Sequence, residues 1–190
     1  IPDPNKFVNS QSTIIQYADG SEIGRIGSEN RKILKLAAIP INVRHAVLAA
    51  EDRNFYSESA ISPTGILRAL FNNLRGGSLQ GGSTITQQYA KTAFLTQNRN
   101  IVRKIKELVI AMKLGNQMSK DQILEKYANE VYFGQSGNIA IHGVAEAAKF
   151  YFNKQLADLS VAEQALLVGI IKGPPFYSPF RHMDRAKGRQ

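Results

Sequence analysis

The stretch VRHAVLAAED, Val43 to Asp52, decides how the rest of this chain is read. Val43 to Ala50 is small or apolar apart from Arg44 and His45, which predicts a short buried helix ending at Glu51 and Asp52. Burial and the negative end of the helix dipole both disfavour a charged carboxyl at that end. A carboxyl so placed suits proton transfer near neutral pH, which makes Glu51 a candidate general base. The plain alternative is a surface acidic pair at a helix end.

Helical signals continue outward from that segment. Ser62 and Pro63 open a helix with Ile66, Leu67, Leu70, Phe71 and Leu74 at helical spacing, stopped by Gly76 and Gly77. Another helix follows Ser83 and Thr84, and one runs from about Ile101 to Leu114. Ser119 with Gln122 forms a capping-box pattern ahead of Ile123, Leu124 and Tyr127. Ile139 to Phe152 and Ser160 to Ile171 read as helices, ended by Gly173, Pro174 and Pro175. Upstream, two β-prone runs around Asp19 and Gly20 predict a hairpin. The body is expected to be all-α, and the chain mainly α with a small N-terminal β-hairpin segment.

Composition narrows the chemistry. The chain has no cysteine, which removes disulfides, thiolate metal sites and cysteine nucleophiles. No apolar run approaches the roughly 20 residues that span a bilayer, and Ile1-Pro2-Asp3-Pro4 lacks the order of a signal peptide. The chain reads as a piece of a longer protein. Its net charge is +9, and Ile66 to Met118 sets Arg68, Arg75, Lys91, Arg99, Arg103, Lys104, Lys106 and Lys113 against a lone Glu107. Such a field suits an anionic partner, whether nucleic acid, an acidic membrane surface or a phosphorylated small molecule; a solvated basic face is the bland reading.

Two further segments offer site components. In GGSTITQQ, Gly81 to Gln88, a glycine-rich loop runs into a helix start, where backbone N–H groups and the dipole can face an anion. Thr84 and Gln87 also fit a simple capping box, so the same residues can merely satisfy the first turn. Gln88, Lys91 and Arg99 extend the polar character beyond what a cap needs. In RKIKELVIAMK, Ile101, Ile105, Leu108 and Met112 are expected to form the buried stripe, leaving Arg103, Lys104, Lys106 and Glu107 off its centre. Glu107 is then either one rung of a surface salt-bridge ladder or a second site carboxylate that organises a phosphate site or a divalent metal.

Together these residues resemble the peptidoglycan glycosyltransferases found in class A penicillin-binding proteins and in monofunctional transglycosylases. The likeness covers about Ile39 to Pro179. Glu51-Asp52-Arg53-Asn54-Phe55 is similar to the family's first motif, Gly81 to Gln88 to its second, and Arg103-Lys104-x-x-Glu107 to its third. Lys120-x-x-Ile123-Leu124-Glu125-x-Tyr127-x-Asn129 resembles the fourth, and Tyr132-Phe133-Gly134 and Pro174-x-x-Tyr177-Ser178-Pro179 fit the family's tail. Glu58 and Ala60 stand where the first motif usually has histidine and glycine, which puts the turn after Phe55 in question.

The resemblance implies a lysozyme-like helical domain at 39–180, preceded by a linker and hairpin segment at 1–38 and followed by a basic, mobile tail at 181–190. It implies polymerisation of lipid II into β-1,4-linked glycan, with inversion at the anomeric carbon and release of undecaprenyl pyrophosphate. Glu51 would be the base and Glu107 a second catalytic group or metal ligand. Asp52, Phe55, Ser83, Gln87, Gln88, Lys91, Arg99, Arg103 and Lys104 would bind substrate. Magnesium or manganese is the implied cofactor. Lipid II, the growing glycan strand and the membrane surface are the implied partners, nucleic acid is not one, and moenomycin-type inhibitors are expected to bind. The implied location is the outer face of a bacterial cell membrane, with the anchor outside this chain; Leu67, Leu70, Phe71 and Leu74 are a candidate membrane contact, although a stripe at helical spacing is more often core. A lysozyme-like hydrolase and a non-catalytic anion-binding module are the rival readings.

Overall fold

Helix α1, Ile41–Glu51, follows Pro40 and buries Val43 and Val47, one turn apart, against α6, Val161–Ile170. A computed structural model describes residues 13–19, 22–26, 29–30, 32–58, 83–95 and 101–190. The helix expected after Ser62 and Pro63, together with Gly81, Gly82 and Arg99, lies outside the described residues.

Helix α2, Ile85–Phe94, packs between α3, Ile101–Gln117, and α4, Lys120–Glu130. The predicted capping box at α4 is complete. Ser119 Oγ accepts from the Gln122 N–H at 3.2 Å, and Gln122 Oε1 accepts from the Ser119 N–H at 2.8 Å. Helix α6 starts with a second box built from Ser160 and Glu163. Ile123, Leu124 and Tyr127 face inward as their spacing predicts, and they join Val43, Phe55, Ile85, Phe133, Val144, Leu167 and Ile170 in one apolar core.

Three expectations need correction. Ile139 to His142 is a strand and not the start of a helix. β4, Tyr132–Ser136, pairs antiparallel with β5, Ile139–His142, and β5 pairs in parallel with β3, Glu29–Asn30. Four apolar or aromatic residues carry too few turns to separate the two periodicities. Gly143 then makes the break, at φ +80° and with its Cα so close to Asn129 that a Cβ there would lie 2.7 Å from the Asn129 carbonyl oxygen. Helix α5 accordingly spans only Val144–Phe152. The hairpin of β1, Thr13–Gln16, and β2, Glu22–Ile26, forms as predicted, so the described residues are mainly α with two small sheets.

The second correction concerns α3, whose buried face carries Glu107, Ala111 and Leu114, whereas Ile105 and Met112 are 56% and 47% exposed. The third concerns the tail: residues 183–189 form helix α8, Met183–Arg189, which packs on α6 through buried Ala186. Before it, Pro174–Tyr177 makes a short helix, α7, with proline in its first turn.

The turn after α1 is anchored to the start of α4. Phe55 is 1% exposed, Lys120 Nζ lies 4.6 Å from its ring centroid, and the same ammonium donates to the Glu58 carbonyl at 2.7 Å. Burial lowers the Lys120 pKa, with Asp52 and Glu58 opposing the shift. The Tyr56 hydroxyl donates to Asp121 Oδ1 at 2.8 Å. Burial, then the hydrogen bond to Asp121 and its charge, push the Tyr56 pKa from 10.0 up to about 12. A raised folded pKa means the unfolded chain ionises first, so this stabilising term is full below pH 10 and is lost as pH rises to about 12. Alkaline titration of stability should therefore show a fall in that window that Tyr56→Phe flattens.

Candidate active site

The site is assembled where the end of α1 meets the start of α2 and the first turns of α3. Asp52, the C-cap of α1, uses its carboxylate to cap α2: Oδ2 accepts from the Ile85 N–H at 3.0 Å. Thr84 Oγ1 accepts from the Gln87 N–H at 3.2 Å. Two donors of this helix start are thus taken by protein groups, so the anion-facing terminus read from the sequence is partly closed. Burial raises the Asp52 pKa, and the Ile85 N–H opposes it. Asp52 therefore acts here as the joint between two helices.

Glu51, one residue back, turns toward α2. Its Oε2 accepts from Gln88 Nε2 at 2.9 Å, while its Oε1 is buried with no hydrogen-bond partner among the described residues. Gln88 also reaches the Ser83 carbonyl at 3.4 Å, and its Oε1 accepts from the Tyr127 hydroxyl at 3.3 Å. Burial, and secondarily the Glu51 charge, push the Tyr127 pKa well above its ordinary value. The other face of Ser83 belongs to the cationic cluster: its Oγ accepts from Lys104 Nζ at 2.8 Å. Lys104 also contacts Glu107 Oε1, and Arg103 donates to Glu107 Oε2 at 3.0 Å. One run of polar contacts therefore leads from Tyr127 through Gln88 to Ser83, Lys104, Glu107 and Arg103, and Glu51 joins it at Gln88.

Other residues named from the sequence have different positions. Phe55 and Gln87 are each 1% exposed, so Phe55 is a core side chain and not a surface for substrate; Gln87 Nε2 is buried without a hydrogen-bond partner among the described residues. Lys91 is exposed on the last turn of α2. The sequence places Tyr127 in the fourth motif and on the apolar spacing of Ile123 and Leu124, but does not single it out as a site residue. Its inward spacing with Ile123 and Leu124 was the available signal, because a buried phenol needs a partner for its hydroxyl.

Burial decides between the two readings of Glu107. At 2% exposure it is no rung of a surface ladder, and both of its oxygens accept from cations. The described residues form no protein-built cage for a divalent ion. Among the described residues no group of three or more His, Asp or Glu converges, whereas hard cations take sets of oxygen ligands. Glu107 instead fixes Arg103 and Lys104, whose side chains are 19% and 43% exposed. Because removing one partner strands buried charge, Glu107→Ala should lower the unfolding free energy by about 2 kcal/mol in urea denaturation. A surface ladder would lose only a few tenths.

Comparison with known proteins places the chain in a family. The profile of a family described as Transglycosylase matches residues 19–190. Penicillin-binding protein 1A of Mycobacterium tuberculosis is 45% identical over 195 aligned residues, covering 100% of this chain and 23% of that protein. Penicillin-binding protein 1F of Bacillus subtilis is 41% identical, covering 99% of this chain and 26% of its own length. A crystal structure of penicillin-binding protein 1A from Haemophilus influenzae aligns over 95% of this chain and 17% of that one, with a TM-score of 0.49 and 25% identity. The chain thus spans about a quarter of the length of the curated relatives it matches. With residues of all four motifs meeting around Glu51 and Glu107, the chain belongs to the transglycosylase family.

Proposed function

We propose that this domain polymerises lipid II into β-1,4-linked glycan strands, inverting the donor anomeric carbon and releasing undecaprenyl pyrophosphate. The observation that carries this reading is the buried Oε1 of Glu51, without a hydrogen-bond partner among the described residues, on a carboxylate joined through Gln88 and Ser83 to Lys104, Glu107 and Arg103. In the reaction Glu51 takes the proton of the acceptor 4-hydroxyl as its oxygen attacks the donor carbon. The pyrophosphate departs with the electron pair of the broken C–O bond. Fixed cations stabilise that developing charge more than they stabilise the ground state, and Arg103, Lys104, Lys91 and Arg99 are assigned this work. Ser83 belongs to the same subsite, and Glu107 holds the pair of cations. Its double engagement argues against the two free carboxylates of a glycan hydrolase.

A donor that stays in the bilayer requires a surface that meets the bilayer. Among the described residues no helix is long and apolar enough to cross a membrane. Val102, Ile105, Val109 and Met112, 40–59% exposed, lie on the side of α3 opposite Glu107, with exposed Lys106 and Lys113 beside them. We assign this face to the outer surface of the bacterial cell membrane, since apolar side chains flanked by lysines suit an anionic lipid interface. Moenomycin-type inhibitors are expected to compete at the pyrophosphate site.

Two measurements test these assignments. With purified lipid II the wild-type protein should make long glycan chains, and Glu51→Gln should slow this by about 100- to 10,000-fold with its melting unchanged; wild-type rates in that variant would remove the base. Flotation with vesicles of anionic phospholipid should show Ile105→Asp with Val109→Asp binding more weakly than wild type, and equal binding would reject the α3 face.

A further inference from the structure

Gln88 has an amide fully engaged by protein. Its two N–H bonds point to Glu51 Oε2, at 2.9 Å, and to the Ser83 carbonyl, at 3.4 Å; its oxygen accepts from the Tyr127 hydroxyl at 3.3 Å. The amide has only one workable orientation. An ionised carboxylate and a main-chain carbonyl can only accept, so the NH2 group must face them and the oxygen is left for the neighbour with a proton to give. Tyr127 is 2% exposed on the inward face of α4, and burial keeps its hydroxyl protonated and donating.

We propose that Gln88 and Tyr127 are positioning residues for the Glu51 base, holding Oε2 so that Oε1 alone is presented as the proton-accepting atom. The terminal torsion of a glutamate is soft, and an untethered carboxylate would sample many directions. A grip on one oxygen restricts the other to a narrow arc, which is what a proton transfer timed to bond formation requires. Oε1 is the oxygen left without a partner among the described residues. This assignment rests on the glycan-polymerising reading, in which the acceptor proton ends on Oε1. It also moves Gln88 out of the substrate-binding set, because its amide has no donor left for a sugar or a phosphate.

Steady-state kinetics of the intact protein on lipid II test the role, using Gln88→Met, Tyr127→Phe and the double variant, with thermal melts alongside. Gln88→Met should lower kcat about 100-fold with KM unchanged. Tyr127→Phe, which loses one hydrogen bond to the amide, should lower kcat about fivefold, again with KM unchanged. The double variant should be no slower than Gln88→Met, since Tyr127 acts only through Gln88. A raised KM at unchanged kcat would return Gln88 to substrate binding and overturn the proposal, as would independent losses in the double variant. If Gln88→Met does not fold, the split between kcat and KM in Tyr127→Phe decides. A wild-type protein that makes no glycan defeats the functional reading and this role with it, whereas an active wild type with KM-type variants defeats the role alone.

Discussion

Glu107 is a carboxylate taken almost wholly out of water, and much of the molecule is arranged around that fact. Taking a charge out of water costs several kcal/mol unless partners come with it. Arg103 and Lys104, one turn earlier on α3, supply them, so the helix turns these three charged residues toward the site. The apolar residues Val102, Ile105, Val109 and Met112 then have nowhere to go but the outside. The polarity of α3 is thus reversed relative to an ordinary surface helix. The same reversal that builds a cationic site on one side leaves a lipid-compatible face on the other.

That reversal is also why the sequence misleads here. A 3.6-residue period locates a helix but does not say which face is buried; the usual inference assumes that the apolar face is inside. On α4 the assumption holds, and Ile123, Leu124 and Tyr127 point inward. On α3 it fails because the site needs Glu107 inside more than the core needs Ile105. The positions of the motifs were legible, as were both capping signals at α2 and α4 and the hairpin. Pairings that depend on three dimensions were not: that Tyr127 reaches Gln88, that Asp52 caps α2, and that Ile139 to His142 finds a strand partner in Glu29 and Asn30.

Elsewhere, polar side chains do structural work between distant segments. Asn129 donates to the Leu34 carbonyl and accepts from the Leu34 N–H, both at 2.8 Å, while Glu125 Oε2 accepts from the Leu36 N–H at 2.8 Å. Two motif residues on α4 thereby stitch down the segment that enters α1. Their spacing, four residues apart, puts both on one side of the helix. Gly143 fits the same corner, where only a residue without a Cβ can pass so close to Asn129.

The precision of the site follows from where its pieces are anchored. Asp52 and Glu51 are adjacent in sequence, yet one caps α2 through Ile85 and the other bonds to Gln88 on the same helix. Any shift of α1 relative to α2 must strain both contacts at once, so Glu51 is located by two helices. Ser83, at the head of α2, receives the cationic side chain of α3. The proposed proton acceptor Glu51 and the cations Arg103 and Lys104 are therefore referenced to one element, α2. Electrostatic stabilisation of a transition state depends on charges that need not reorganise as it forms. A shared helix meets that condition more directly than flexible basic side chains on separate loops would.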